Sequence, residues 1–309
     1  MHCLNPIAAY FERGKRTDKG KRSLNFSPKT LSYLQLRDGG IPPDVLLPCG
    51  KCVLCRDAKA KRWQRRLQME ALDKSASFLT LTYDDEHLED CNKKAVQKFL
   101  KRFRQLSRLG LDLRHFKYFF VSEYGHNTHR PHYHAILFGV DLLKDPFFKS
   151  RVATSKRDAR GRIYPVFTSD VISRIWKNGF NSVDKCTDKS IRYVCKYVSK
   201  TIADTDKNLF HLFSRRIGTS MFIVGDTLLP FAYSTLSSGK LLLNRDSFPV
   251  GSPKFLDYYF ELHDPDFLSV VKDKRKAFVR NKQTDMKSIK CLASHVMSIT
   301  QAQRKNEIL

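Results

Sequence analysis

Acidic residues are scarce in this chain: 31 Asp and Glu stand against 56 Lys and Arg, for a formal net charge of +25. Solubility alone does not require so large an excess. It fits a polyanionic partner, nucleic acid first and an anionic membrane surface second. The chain also lacks any apolar run approaching the ~20 residues of a spanning helix, which excludes a helical membrane protein and weakens the membrane reading. The N-terminus, MHCLNPIAAYFERGKRT, has only a short apolar patch and no charged lead-in, so no signal peptide is expected. There is no internal repeat, no low-complexity block and no G-x-x-x-x-G-K-S/T loop, so nucleotide-driven strand separation is not expected of this chain. Core material is not lacking, since 41% of the residues are hydrophobic. Eight cysteines sit at irregular spacing. Without a secretory signal, metal binding or plain burial is favoured over disulfides.

Residues 1 to about 48 read as irregular, broken by Gly14, Gly20, Gly39, Gly40, Pro42 and Pro43. The stretch 48–72 continues into a helix rich in Lys and Arg. SFLTLTYDDEHL (77–88) reads as a strand ending in an acidic turn. KKAVQKFLKRFRQLSRLG (93–110) has Val96, Phe99, Leu100, Phe103 and Leu106 at helical spacing, with Gly110 as a stop. FKYFFVSEYG (116–125) and HYHAILFGV read as a hairpin, 144–165 as a charged loop, and 169–179 as a helix. A short strand and the helix SIRYVCKYVSKTI follow. This order implies an α+β fold, an antiparallel sheet with helices packed on it. Three regions are expected: a Cys-rich, basic N-terminal segment (1–72), the sheet domain (73–204) and a C-terminal region of unknown role (205–309), with packing on the sheet as one option.

His132 and His134 are two apart in a strand and project to one face. A hairpin register that opposes Glu123 to His132 puts Val121 opposite His134 and brings the carboxylate to the histidine face. Two imidazoles and a carboxylate at a sheet end are a mixed N/O ligand set with open positions. A solvated strand end is the plainer reading of the same pattern, and Asp84, Asp85 and Glu86 are another source of carboxylate. In IRYVCKYVSKTI, Ile191, Val194, Cys195, Val198 and Ile202 form a core stripe. Tyr193 and Tyr197 are placed on the opposite side with Lys196 and Lys200, where ammonium groups would lower the cost of a phenolate nucleophile. A basic amphipathic helix with tyrosines at its rim is the alternative.

Cys49, Cys52 and Cys55 form C-x-x-C-x-x-C, a spacing that suits a structural Zn²⁺ site. Cys3 is the first candidate for a fourth ligand and Cys91 the second. Behind it, Arg56, Lys59, Arg62, Arg65 and Arg66 with Trp63 form a candidate DNA-binding surface, the basic groups tracking a backbone and the indole stacking on a base.

The strand histidines, the upstream Glu and the later Y-x-x-x-Y helix resemble the HUH endonucleases that initiate rolling-circle replication. More closely, PCGKCVLC, FLTLTY, EYGHNTHRPHYHAILFG and RYVCKYVSK, in that order, resemble the initiators of gokushovirus-like microviruses, small single-stranded DNA phages. The resemblance covers roughly residues 48–202. It implies a ferredoxin/RRM-like HUH domain binding Mg²⁺ or Mn²⁺ through His132, His134 and a neighbouring carboxylate, a slot that Glu123 fits. It maps the paired tyrosines to Tyr193 and Tyr197. One would form a 5′-phosphotyrosine link and leave a 3′-OH primer, and the other would end the round before the displaced strand is rejoined. Thr80 and Thr82, in the first motif, are expected to be scaffold. The implied partners are single-stranded and origin DNA with a host helicase and polymerase, in the bacterial cytoplasm. A non-catalytic zinc-containing nucleic-acid-binding protein, or a related relaxase or transposase, is the alternative.

Overall fold

A computed structural model of the chain describes residues 3–18, 22–26, 44–125, 129–157, 161, 163–203, 208–224, 227–241 and 250–281. They divide into two compact units, one reaching Lys59 and one spanning Ala60–Asn281. The division falls inside the first helix, not at residue 72, and residues 208–281 share a unit with the large sheet.

The first unit is not irregular. Strand β1 (Ile7–Arg16) pairs antiparallel with β2 (Arg22–Asn25) and with β3 (Val45–Leu47). The strands are short and bury little beyond Ala8 and Ala9, so no clean alternation marks them in the sequence. Gly14 takes a φ of +73° where the β1–β2 register shifts, a conformation that glycine adopts at no steric cost. Gly20, Gly39, Gly40, Pro42 and Pro43 lie outside the described residues. Helix α1 (Val53–Asp73) starts in this unit and runs into the next.

The second unit is built on a seven-stranded antiparallel sheet. It comprises β4 (Ala76–Tyr83), β5 (Lys117–Tyr124), β6 (Pro131–Phe138), β7 (Ser150–Arg157), β8 (Ile163–Ser169), β9 (Gly179–Lys185) and β10 (His211–Phe213), in the order β10-β5-β6-β4-β9-β8-β7. The α+β expectation holds, with helices on both faces. One face of β4, β5 and β6 gives Leu79, Leu81, Phe120, Ala135 and Leu137 to a cluster with Val96, Phe99 and Phe103 of α2 (Lys93–Gln105). Asn92 caps that helix, accepting from the Lys94 amide at 2.9 Å. A 3₁₀ turn over Leu106–Leu109 closes it, and Gly110 at φ +96° ends it. The other face gives Phe119, Val121, Ile136 and Phe138 to a cluster with Trp63 and Leu67 of α1 and Ile191, Val194, Cys195 and Val198 of α4 (Asp188–Ala203). Because both faces of β6 are covered, its apolar run is near-continuous. The helix α3 (Asp170–Trp176) stands as expected.

Two expectations fail here. Residues 150–169 are a hairpin, β7 with β8, and not a loop. Residues 151–155 are all exposed, so no buried face imposes a period-two pattern. The segment beyond 205 supplies edge strand β10, paired with β5, and three helices, α5 (Pro230–Ser238), α6 (Lys254–His263) and α7 (Pro265–Asn281). Leu236, Leu256, Phe260, Leu268 and Val271 of these helices form a third cluster with Met69 of α1.

Candidate active site

The hairpin register sets the site. Glu123 lies opposite His132 and Val121 opposite His134. On the other flank of β6, β4 places Thr82 opposite His132 and Thr80 opposite His134. All of these side chains share the α4 face, because alternate residues of a strand point the same way. The threonines are more than scaffold. Thr80 Oγ1 is 3.0 Å from His134 Nδ1, and Thr82 Oγ1 is 2.9 Å from His132 Nδ1. Each hydroxyl engages the inner ring nitrogen and leaves Nε2 as the ligating atom. His134 Nε2 meets Glu123 Oε1 at 2.9 Å, and Phe78 stacks on the His134 ring at 5.7 Å between centroids.

Helix α4 brings the phenols. Burial of Ile191, Val194, Cys195 and Val198 seats it on the sheet, as the periodicity predicts, but Tyr193 and Tyr197 are not on the opposite side. They flank the buried stripe and face the sheet. Tyr193 Oη is 3.4 Å from both Glu123 Oε1 and His134 Nε2, and Tyr197 Oη donates to Tyr193 Oη at 3.1 Å. Tyr193 is 40% exposed and Tyr197 only 8%. At 100° per residue, a pair one step from the stripe's edge turns inward as soon as the helix docks.

The electrostatics differ from expectation too. Burial first, then the Glu123 charge, pushes the Tyr193 phenol up to about 12. Burial and hydrogen bonds to Glu123 and Tyr193 push Tyr197 higher still. The phenols are thus held protonated, not lowered by lysine. Lys196 is half-buried, and the Lys200 side chain lies outside those described. Burial works to raise the Glu123 carboxyl, but the His134 hydrogen bond and charge, with a Tyr197 hydrogen bond, outweigh it and keep the group below its ordinary range.

A divalent cation fits part of this set. Adjacent ligands of an octahedral ion at about 2.1 Å lie about 3 Å apart, which is the His134–Glu123 separation. His132 shares the face, but its ring centroid is 6.3 Å from that of His134, so the third donor has not converged. Asp84 belongs to a turn, accepting from the His87 amide at 2.9 Å, and does not supply the carboxylate. Of the loop histidines, His129 donates its amide to Gly125 O and His126 lies outside the described residues.

The basic helix is only partly a surface. Trp63 is 8% exposed, packed on Phe119 and Phe213 at 4.8 and 4.4 Å between centroids, so it is not placed to stack on a base. Its position on α1 is a core position, in step with Leu67. Arg66 turns inward as well, donating to Ile217 O at 2.9 Å with its guanidinium 4.9 Å above the Trp63 ring. Arg62 is exposed, and Arg56, Lys59 and Arg65 are half-exposed. Cys3, Cys49, Cys52 and Cys55 converge, all four Sγ atoms lying within 4.8 Å of one another. Cys91 instead donates to Glu123 O at 3.9 Å, and Cys195 is core. No helix among the described residues is long and apolar enough to cross a membrane.

The family model for replication-associated proteins of the ORF2 type matches residues 76–202, from the first residue of β4 to the last turn of α4. The chain is 28% identical over 298 residues to the replication-associated protein ORF2 of Spiroplasma virus 4, covering 89% of this chain and 86% of that protein. It is 30% identical over 209 residues to the replication-associated protein VP4 of Bdellovibrio phage phiMH2K, covering 66% and 59%. It is 28% identical over 233 residues to the replication-associated protein ORF4 of Chlamydia phage 1, covering 72% and 54%. The alignments thus span little more than half of the last two proteins. No solved structure gives a significant match.

Proposed function

The chain is a relative of the microvirus replication-associated proteins, and on that premise we propose that it is an HUH-type endonuclease that starts rolling-circle replication by cutting origin DNA with a tyrosine. The observation that carries this reading is the approach of the Tyr193 hydroxyl to within 3.4 Å of both His134 Nε2 and Glu123 Oε1. A phenol at a strand end, beside an imidazole and an ionised carboxylate, is a nucleophile set against groups suited to a cation.

His132, His134 and Glu123 are the residues that would hold Mg²⁺ or Mn²⁺. Such an ion supplies positive charge against the phosphate oxygens. The chain's own residues supply the rest. Thr80 and Thr82 fix the imidazole orientations, and the buried stripe of α4 fixes the phenols. Tyr193, the more exposed phenol, attacks phosphorus first. An Oη–P bond forms, the P–O3′ bond breaks, and the phenolic proton ends on the leaving 3′ oxygen. The product is a 5′-phosphotyrosine and a 3′-OH primer. The ester conserves the phosphodiester's free energy, so Tyr197 can cut the displaced strand in a second transfer and the freed ends can rejoin. Strand separation and synthesis are assigned to a host helicase and polymerase in the bacterial cytoplasm. Arg56, Lys59, Arg62 and Arg65 remain the candidate backbone contacts on α1.

The test is to incubate the purified protein and Mn²⁺ with single-stranded oligonucleotides tiled across the viral origin, then resolve the products on a denaturing gel. A covalent protein–DNA band is expected with the native chain and with Tyr197→Phe, and none with Tyr193→Phe. Absence of a band with every oligonucleotide would overturn the proposal. A band that survives in Tyr193→Phe and vanishes in Tyr197→Phe would reverse the order of the phenols.

A further inference from the structure

We propose that Cys3, Cys49, Cys52 and Cys55 bind one Zn²⁺ as four thiolates, and that this ion is the folding staple of the first unit. The inference does not depend on the nicking chemistry.

The sulfurs have the spacing that one tetrahedral ion demands. With Zn–S bonds of about 2.3 Å, neighbouring sulfurs lie about 3.8 Å apart. Cys3 Sγ and Cys52 Sγ are 3.8 Å apart, and Cys49 Sγ and Cys55 Sγ 4.0 Å. All four thiols are free. Four sulfurs this close surround a single ion, since a cubane iron–sulfur cluster holds its thiolates farther apart.

The backbone is arranged for negative sulfur. The Cys49 amide donates to Cys3 Sγ and the Cys52 amide to Cys49 Sγ, both at 3.3 Å. Gly50, at φ +76°, makes the turn between Cys49 and Cys52. Cys52 immediately precedes α1 and Cys55 lies in its first turn, where the positive end of the helix dipole favours thiolate. The ligands also come from three separate stretches: the lead into β1, the link from β3 to α1, and α1 itself.

The first unit needs such a tie. Its fully buried apolar side chains, among the described residues, are Ala8, Ala9, Leu54 and Cys55. Two alanines, one leucine and a cysteine remove too little surface from water to offset the ordering of three strands. Small units of this kind fold on a metal.

The experiment uses the full chain carrying His132→Ala and His134→Ala, so that the candidate active site contributes no metal. Grown with zinc and iron both supplied and purified without chelator, this chain is expected to retain one zinc per molecule by elemental mass spectrometry. Cys91→Ser should leave that stoichiometry intact, and Cys3→Ser and Cys52→Ser should lose it. Because the serine variants risk not folding, Cys55→His, which preserves four ligands, is the second probe. It should keep the metal, and after Co²⁺ exchange should show weaker sulfur-to-cobalt charge-transfer absorption than the parent. Stripping the zinc should let trypsin remove the first unit while residues 60–281 persist. A metal-free chain with four freely reactive thiols would overturn the proposal, as would iron in place of zinc, or zinc loss that leaves the first unit equally resistant to trypsin.

Discussion

At the scale of single residues, the site turns on two threonine hydroxyls. Thr80→Val and Thr82→Val preserve shape and remove only the contacts to His134 and His132. Each is expected to weaken Mn²⁺ binding by about 10–100-fold, measured by calorimetric titration, because an untethered imidazole loses its tautomer and orientation. Thermal stability should fall by only about 1 kcal/mol, the net worth of one hydrogen bond. Sequence reasoning placed His132, His134 and Glu123 on one face because a strand has a period of two and the register follows from the turn. It missed the threonines' role because Thr in an apolar strand also reads as an ordinary β-former. The missed signal was that FLTLTY spaces its two hydroxyls as HYH spaces its two imidazoles. It misplaced Tyr193 and Tyr197 because spacing of four shows that two side chains share a face, not whether that face docks.

At the scale of elements, α1 hides a charged core that no local pattern announces. Glu70 is fully buried, with Lys74 Nζ at 2.7 Å, Lys117 Nζ at 2.9 Å and the Gly218 amide at 2.7 Å. Two of these partners lie 47 and 148 residues away, so sequence shows only a lone Glu in a basic helix. Burial raises the Glu70 carboxyl, but the two lysines and the Gly218 amide outweigh it and hold the group below its ordinary value of 4.5. A depressed carboxylate stabilises the fold above its unfolded pKa, and that contribution disappears as pH falls through the folded value. Thermal melts from pH 7 to pH 3 should therefore show a loss of stability beginning below about pH 4.5. Glu70→Gln should lack that component and be less stable at pH 7 by about 3–5 kcal/mol, since two lysines lose their counter-charge in a buried place. Gly179, where β9 begins, is a second such point. At φ +136°, a Cβ there would sit 2.6 Å from Thr82 O. Gly179→Ala is expected to cost about 1–3 kcal/mol and to disturb the strand end that carries Thr82, read by melting together with Mn²⁺ titration. What sequence did resolve at this scale were the long periodic elements, α2, α4 and the β5–β6 hairpin. The exposed β7–β8 ribbon and the short strands of the first unit bury no stripe, so they carry no period to detect.

For the whole molecule, charge is the governing quantity. A net +25 predicts that affinity for single-stranded DNA falls steeply between 50 and 200 mM salt. Arg62→Ala and Arg65→Ala should each reduce the slope of log affinity against log salt by about 0.7, without favouring one sequence over another. Trp63→Ala is the contrasting case. Its ring is core, so it should leave the slope unchanged and cost about 3–5 kcal/mol of stability. Equal slope losses for all three variants would return Trp63 to the DNA surface. The large sheet has one further consequence. Its outer strands are β10, only three residues long, and β7, SRVATSKR, carrying two arginines and a lysine in eight residues. An open sheet grows by templating another chain along its unpaired edge. Here one edge is too short to seed a strand, and the other repels any copy of itself. The lack of apolar alternation that concealed β7 in the sequence is what keeps neighbouring molecules in a crowded solution from joining sheet to sheet.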